Sequence, residues 1–247
     1  MQDSKLEDSI KLLRLFKENG VDELIANEPM NRQKNAKKIG KKDSSKNLTL
    51  VSEKYIQEVN DLKSLNELKS YMLDFKGCEL YKSSTNMVFS DGNSESKIML
   101  IGEAPGHDED IQGKPFVGRS GKLLDKMLEA INLNREKVYI ANIVPWRPPS
   151  NRRPTDEEIE LCLPFIKKHI ELIKPDVMML LGSTATFALL KNTEGITKIR
   201  GKWVDLNINN LIIPTLPTFH PAFLLRQPAQ KKHVWTDLKN LKNKISK

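Results

Sequence analysis

Cysteine is almost missing from this chain: 247 residues contain two, Cys78 and Cys162. Two thiols make no disulfide framework, so a reducing cytoplasm is the expected compartment. Long apolar runs are missing too. Nothing approaches the roughly 20 residues of a membrane span, and Met1–Lys5 is not a basic stretch leading into an apolar one, which argues against a secretory signal. Aromatic residues are 6% and hydrophobic residues 38% of the total, so part of the chain has little to bury. Four histidines are scattered with no zinc-ligand spacing. Neither the phosphate-loop spacing GxxxxGK[ST] nor the hydrolase elbow GxSxG occurs. Positive charge is in excess: 40 Lys and Arg against 32 Asp and Glu, a formal net +8. That excess fits a polyanionic partner, because Lys and Arg neutralise phosphates and release counterions. It equally fits an ordinary solvated lysine-rich surface.

The composition changes along the chain. Leu6, Ile10, Leu13, Phe16 and Leu24 lie near one helical face, which predicts an N-terminal helical segment over 1–28. Residues 29–60 open with Pro29, Gly40 and the lysine pairs 37–38 and 41–42, and read as a basic, disordered linker. From 61 to 247 the pattern is that of one α/β domain. Ser64 with Glu67 and Thr155 with Glu158 have capping-box spacing. Continuous apolar runs at 98–101, 138–141, 177–181 and 211–213 predict strands buried on both faces, hence parallel. Helical patterns at 120–131, 155–173, 183–190 and 231–245 alternate with them. The expected architecture is a three-layer α/β/α sandwich around a mostly parallel four-stranded sheet, with N-terminal helices.

Four segments follow strand ends, where open parallel sheets bind ligands. The first is GEAPG at 102–106, followed by Glu109 and Asp110; it is an acidic turn or a ligand loop. The second, GKPFVGRSG at 113–121, leads into a helix whose start offers free N–H groups. Its Phe116 either stacks on a flat ring or plugs the loop onto the core. The third runs from Asn142, whose amide matches a base edge or its own backbone, through the Pro- and Arg-rich stretch 145–154. The fourth is HPAFLLR at 220–226. His220 there is a donor to developing negative charge or a helix cap, and Leu224 and Leu225 are a wedge for a base stack or the start of a buried helix.

Together these motifs, in this order and spacing, resemble the uracil-DNA glycosylases, most closely family 4, over about Cys78 to Lys242. The resemblance implies removal of uracil from DNA by cleavage of the N-glycosidic bond. It implies that Glu103 orients the attacking water or faces the cationic sugar, with Ala104 standing where other families place an Asp base. It places Ala104, Gly106, Glu109, Phe116 and Asn142 around the flipped uracil, Phe116 stacking and Asn142 reading O4 and N3. His220 would donate to O2. Arg119, Arg147, Arg152, Leu224, Leu225 and Arg226 would contact the DNA, single- or double-stranded, bound by a monomer. A non-catalytic or covalent-trapping uracil-DNA binder of the same fold is the second reading. The trapping branch carries a His in an inserted basic loop, and residues 151–154 show neither.

One departure stands out. Family 4 carries a [4Fe–4S] cluster on four cysteines, normally all four being needed. Here Cys78 and Cys162 match two of those positions, while Tyr81 and Trp146 occupy the others. The expectation is therefore an enzyme with no cofactor, its cluster lost and an aromatic pair filling the space.

Overall fold

The computed structural model describes residues 55–246 apart from 192 and 193. The expected helical segment 1–28 and residues 29–54 of the expected linker lie outside the described residues. Residues 55–61 are helical rather than linker. Tyr55, Val59 and Leu62 recur at helical spacing and pack into the core, Val59 with 0% exposure; the lysine-rich composition that marks a linker stops before them.

The sheet has six strands where four were expected: β1 Asp91–Gly92, β2 Ile98–Gly102, β3 Tyr139–Asn142, β4 Val177–Leu181, β5 Val204–Ile208 and β6 Leu211–Thr218, in the spatial order β1-β3-β2-β4-β6-β5. The four expected strands are all present and mutually parallel, with Gly102 opposite Asn142, Ile101 opposite Leu180 and Leu181 opposite Thr218. The two additional strands are antiparallel edges. β5 reads Val-Asp-Leu-Asn-Ile, alternating buried and exposed toward its end. A search for continuous apolar runs passes over a half-exposed edge strand of this kind.

Helices cover both faces: α1 Leu65–Asp74, α2 His107–Gln112, α3 Arg119–Glu129, α4 Asp156–Ile173, α5 Ser183–Leu190, α6 Ile196–Ile199, α7 Pro221–Arg226 and α8 Lys231–Ile245. Alternate strand residues feed two cores. Met99, Ile101, Met178 and Leu180 pack with α1, α4 and α5. Leu100, Ile140, Met179 and Leu216 pack with α3 and α8. α1 begins at its expected cap, Ser64 Oγ accepting from Glu67 N at 3.2 Å. α4 begins in a full capping box between Thr155 and Glu158. The acidic stretch after Gly106, expected as a turn or ligand loop, forms the short helix α2.

Phe165 of α4 is the hub of an aromatic cluster, with ring centroids 5.5 Å from Tyr55, 5.0 Å from Phe75 and 6.4 Å from Trp146. Phe165→Ala should lower the unfolding free energy by about 3–5 kcal/mol, read from the urea midpoint at unchanged m-value. A change below about 1 kcal/mol would show that the cluster repacks freely.

Candidate active site

The parallel order reverses direction at β2: β3 lies on one side and β4 on the other. The loops beyond such a point diverge and leave a crevice at the carboxyl ends of the strands. A cavity of about 660 Å³ opens there, lined by all four segments that the sequence singles out. Glu103, Ala104, Gly106, Glu109, Phe116, Asn142, Arg152, His220 and Arg226 all border it.

The loop after β2 carries Glu103, whose Oε2 accepts from Thr184 Oγ1 at 2.5 Å. Thr184 sits in the first turn of α5, beyond the neighbouring strand β4. Glu109 is buried, and its carboxylate ties two loops together, accepting from Gly106 N at 3.2 Å and Gly118 N at 2.9 Å. Its lone pairs are thus engaged by backbone donors.

Phe116 has φ of +55°, a left-handed conformation that is costly for a bulky residue. Two features hold it there. Gly121 lets the backbone of α3 lie against the Phe116 carbonyl, where any Cβ would collide. Arg135 donates to the carbonyls of Phe116 and of Pro115, the latter at 3.0 Å, while its other donors meet Asp91 at 2.6 Å and Asp125 at 2.8 Å. Arg135 escapes sequence reasoning because it lies in a turn far from any motif. The Phe116 ring stands over Gly102 and 5.5 Å from the His220 ring. A Cβ on Gly102 would strike both that ring and Asn142 Oδ1.

Asn142 is buried at the end of β3, and its Oδ1 is the buried side-chain oxygen without a hydrogen-bond partner among the described residues. An orphaned buried carbonyl costs roughly 1–3 kcal/mol, and Asn142, which lines the cavity, offers this oxygen as an acceptor. His220 caps α7: its Nδ1 accepts from Ala222 N at 3.1 Å. The neutral ring therefore carries its proton on Nε2. Burial and the Arg226 guanidinium push the His220 pKa down to about 4, which keeps the ring neutral near pH 7.

The expected DNA contacts divide. Leu225, Arg226 and Arg119 are exposed. Leu224 is not: it is 1% exposed and packs into the core, so the wedge assigned to it is corrected to a core role. Helical spacing is the reason, since adjacent residues on α7 point to different faces. Arg152 lines the cavity while forked onto Glu158 at 2.6 and 2.8 Å. Arg147 reaches Asn151 at 2.7 Å and His107 at 3.1 Å.

The positions matching the cluster ligands do not suit a four-thiolate group. Trp146 is 3% exposed and stacks on Phe75 with centroids 6.3 Å apart. Tyr81 lies under Lys76 Nζ at 4.5 Å. Cys78 and Cys162 are buried and unbridged. A hydrogen bond between the two thiols holds Cys78 below its ordinary pKa and, with burial, pushes Cys162 up. Among the described residues no three His, Cys, Asp or Glu side chains gather as a metal set.

Comparison with known proteins agrees with this geometry. Residues 89–239 match the uracil DNA glycosylase superfamily. A type-4 uracil-DNA glycosylase of Saccharolobus solfataricus is 44% identical over 174 residues, 68% of this chain and 81% of that protein. One from Thermotoga maritima is 42% identical over 173 residues, covering 69% and 88%. One from Archaeoglobus fulgidus is 37% identical over 186 residues, covering 73% and 92%.

The depressed His220 pKa has a consequence for stability. The unfolded His protonates near pH 6.5, the folded one near 4. Between those values the unfolded state binds more protons, so His220 stabilises the fold fully above pH 6.5 and loses this as pH falls toward 4, at up to ~1.4 kcal/mol per pH unit. Urea midpoints of wild type and His220→Gln should therefore converge as pH falls from 7 to 4.5. Parallel curves would show that His220 titrates normally.

Proposed function

The chain belongs to the uracil DNA glycosylase superfamily, and from that premise we propose that it is a uracil-DNA glycosylase, a hydrolase of N-glycosyl bonds that starts base excision repair. The observation that carries the reading is the unpartnered Asn142 Oδ1, buried beside an aromatic face and a neutral histidine donor.

A base within a duplex cannot reach this crevice, so the nucleotide must be flipped out at a cost of a few kcal/mol. Uracil then satisfies the orphan: its N3–H donates to Asn142 Oδ1, and Asn142 Nδ2 donates to O4. Cytosine offers an acceptor at N3 and a donor at N4, so both bonds are lost. The ring lies against Phe116, held rigid by Gly121 and Arg135. As the bond between C1′ and N1 breaks, its electron pair moves into the uracil ring, and His220 Nε2–H donates to O2 where charge gathers. Water adds to the oxocarbenium-like sugar with Glu103 facing it, as carboxylates do in glycoside hydrolysis, and the proton the water sheds neutralises the departing uracil anion. Leu225, Arg226 and Arg119 meet the DNA at the mouth, where the overall positive charge favours phosphates.

We further propose that the protein acts without an iron–sulfur cluster, as a monomer, on single- or double-stranded uracil-containing DNA in the cytoplasm. The aromatic packing of Trp146 and the two remaining thiols support the first point. Among the described residues no helix is long and apolar enough to cross a membrane.

Purified protein should release free uracil from a uracil-containing oligonucleotide at low salt; none released rejects the reading. His220→Ala should lower kcat about 10²–10³-fold with DNA affinity retained. Asn142→Asp should narrow the preference for uracil over cytosine, and an unchanged ratio would remove Asn142 from base reading. Anaerobically purified protein should contain no stoichiometric iron and no cluster absorbance; roughly four irons per chain would overturn the cofactor proposal.

A further inference from the structure

We infer that Thr184 is a positioning residue for glycosidic cleavage: its hydroxyl holds the Glu103 carboxylate in the orientation it uses against the sugar and water. This rests on the reading of Glu103 just given.

Thr184 is 0% exposed, and its Oγ1 donates to Glu103 Oε2 at 2.5 Å across 81 positions of sequence. Glu103 follows β2 and Thr184 follows β4, the two strands that flank the reversal of strand order. The bond therefore links the loops that leave these two neighbouring strands, with Glu103 itself bordering the cavity. A buried threonine in a helix commonly returns its hydroxyl to a carbonyl four residues back. Thr186, two residues on, does so, donating to Gly182 O at 2.8 Å. Thr184 sits too early in α5 for such a carbonyl to be helical, and its hydroxyl goes to the cavity carboxylate instead.

The local chemistry makes that bond consequential. The terminal torsion of a glutamate is broad and nearly two-fold, so a carboxylate in an open cavity samples many orientations. Anchoring Oε2 fixes the carboxylate plane and gives Oε1 one direction. The two buried acids of the same segment are already committed. Glu109 accepts from Gly106 N and Gly118 N, and Asp110 accepts from Thr85 N at 2.8 Å and Asn86 N at 3.1 Å. Position 104 is Ala, so no carboxylate stands beside Glu103 to share the work. α5 also starts at Gly182 without a side-chain cap, so the positive end of its dipole faces the carboxylate that its first turn holds.

The test is uracil release from a single-stranded uracil-containing oligonucleotide, with kcat, KM and oligonucleotide Kd measured for each variant. Thr184→Val keeps the shape and removes the hydroxyl. It should lower kcat roughly tenfold to a hundredfold, with KM and Kd within about threefold of wild type. Thr184→Ser, which keeps the hydroxyl, should restore most of the rate. In a Glu103→Gln background the same Thr184→Val change should cost far less, because the two residues act as one unit. Wild-type kcat in Thr184→Val, a loss confined to KM and Kd, no rescue by Ser, or full additivity with Glu103→Gln would each overturn the inference. If the Val variant does not fold, judged by its thermal transition, Thr184→Ala and Thr184→Ser carry the same comparison. A Glu103→Gln variant as fast as wild type would instead reject the role of Glu103, and a wild type releasing no uracil would reject the enzymatic reading itself.

Discussion

Parallel strand pairing is the constraint from which the rest of the site follows. Because β2, β3, β4 and β6 all run one way, their carboxyl ends share one edge, and every functional segment leaves the sheet there. Because the strand order reverses at β2, the loops on its two sides part instead of closing over each other. The cavity is a property of topology before it is a property of any side chain. Gly102 opposite Asn142 then leaves out a Cβ that would strike the Asn142 amide and the Phe116 ring.

Within that frame, much of the polar chemistry serves to hold loops still. Glu109 fastens the loop after β2 to the start of α3. Arg135 fastens the strained Phe116 turn to the sheet edge through Asp91 and to α3 through Asp125. Asp237, buried on α8, accepts from Thr218 at 2.6 Å at the end of β6 and pairs with Arg200. Glu109 and Gly106 border the cavity, whereas Arg135, Asp91, Asp125, Asp237 and Thr218 lie outside its lining. A preorganised site needs them, because a donor misplaced by an ångström loses much of its electrostatic value. Among the described residues, Asn142 Oδ1 is the buried side-chain oxygen left without a partner.

The region around Trp146 shows a second way to brace the same loops. Rings from the 55–61 segment, α1, α4 and the strand-end loop interlock around Phe165. Arg152, at the far end of that loop, is forked onto the capping glutamate of α4. Apolar packing and an ion pair brace this region, in a chain poor in aromatic residues that places five of them in this one cluster.

The sequence by itself determined the parallel sheet, from continuous apolar runs, and the helix starts at Ser64 and Thr155, from local capping chemistry. It also determined which segments line the cavity, since glycine, proline and polar residues crowd where strands end. Such signals are local, set by a few neighbouring residues. What the tertiary structure alone decided depends on residues distant in sequence. Edge strand β5 forms because β6 offers a partner. Leu224 turns inward while Leu225 stays exposed because α7 packs one face on the core. Phe116 keeps its positive φ because Arg135 and Gly121 enclose its carbonyl, and Glu103 meets Thr184 because β2 and β4 are neighbours in space. No local propensity encodes those contacts, for each is made only when the sheet has brought its two halves together.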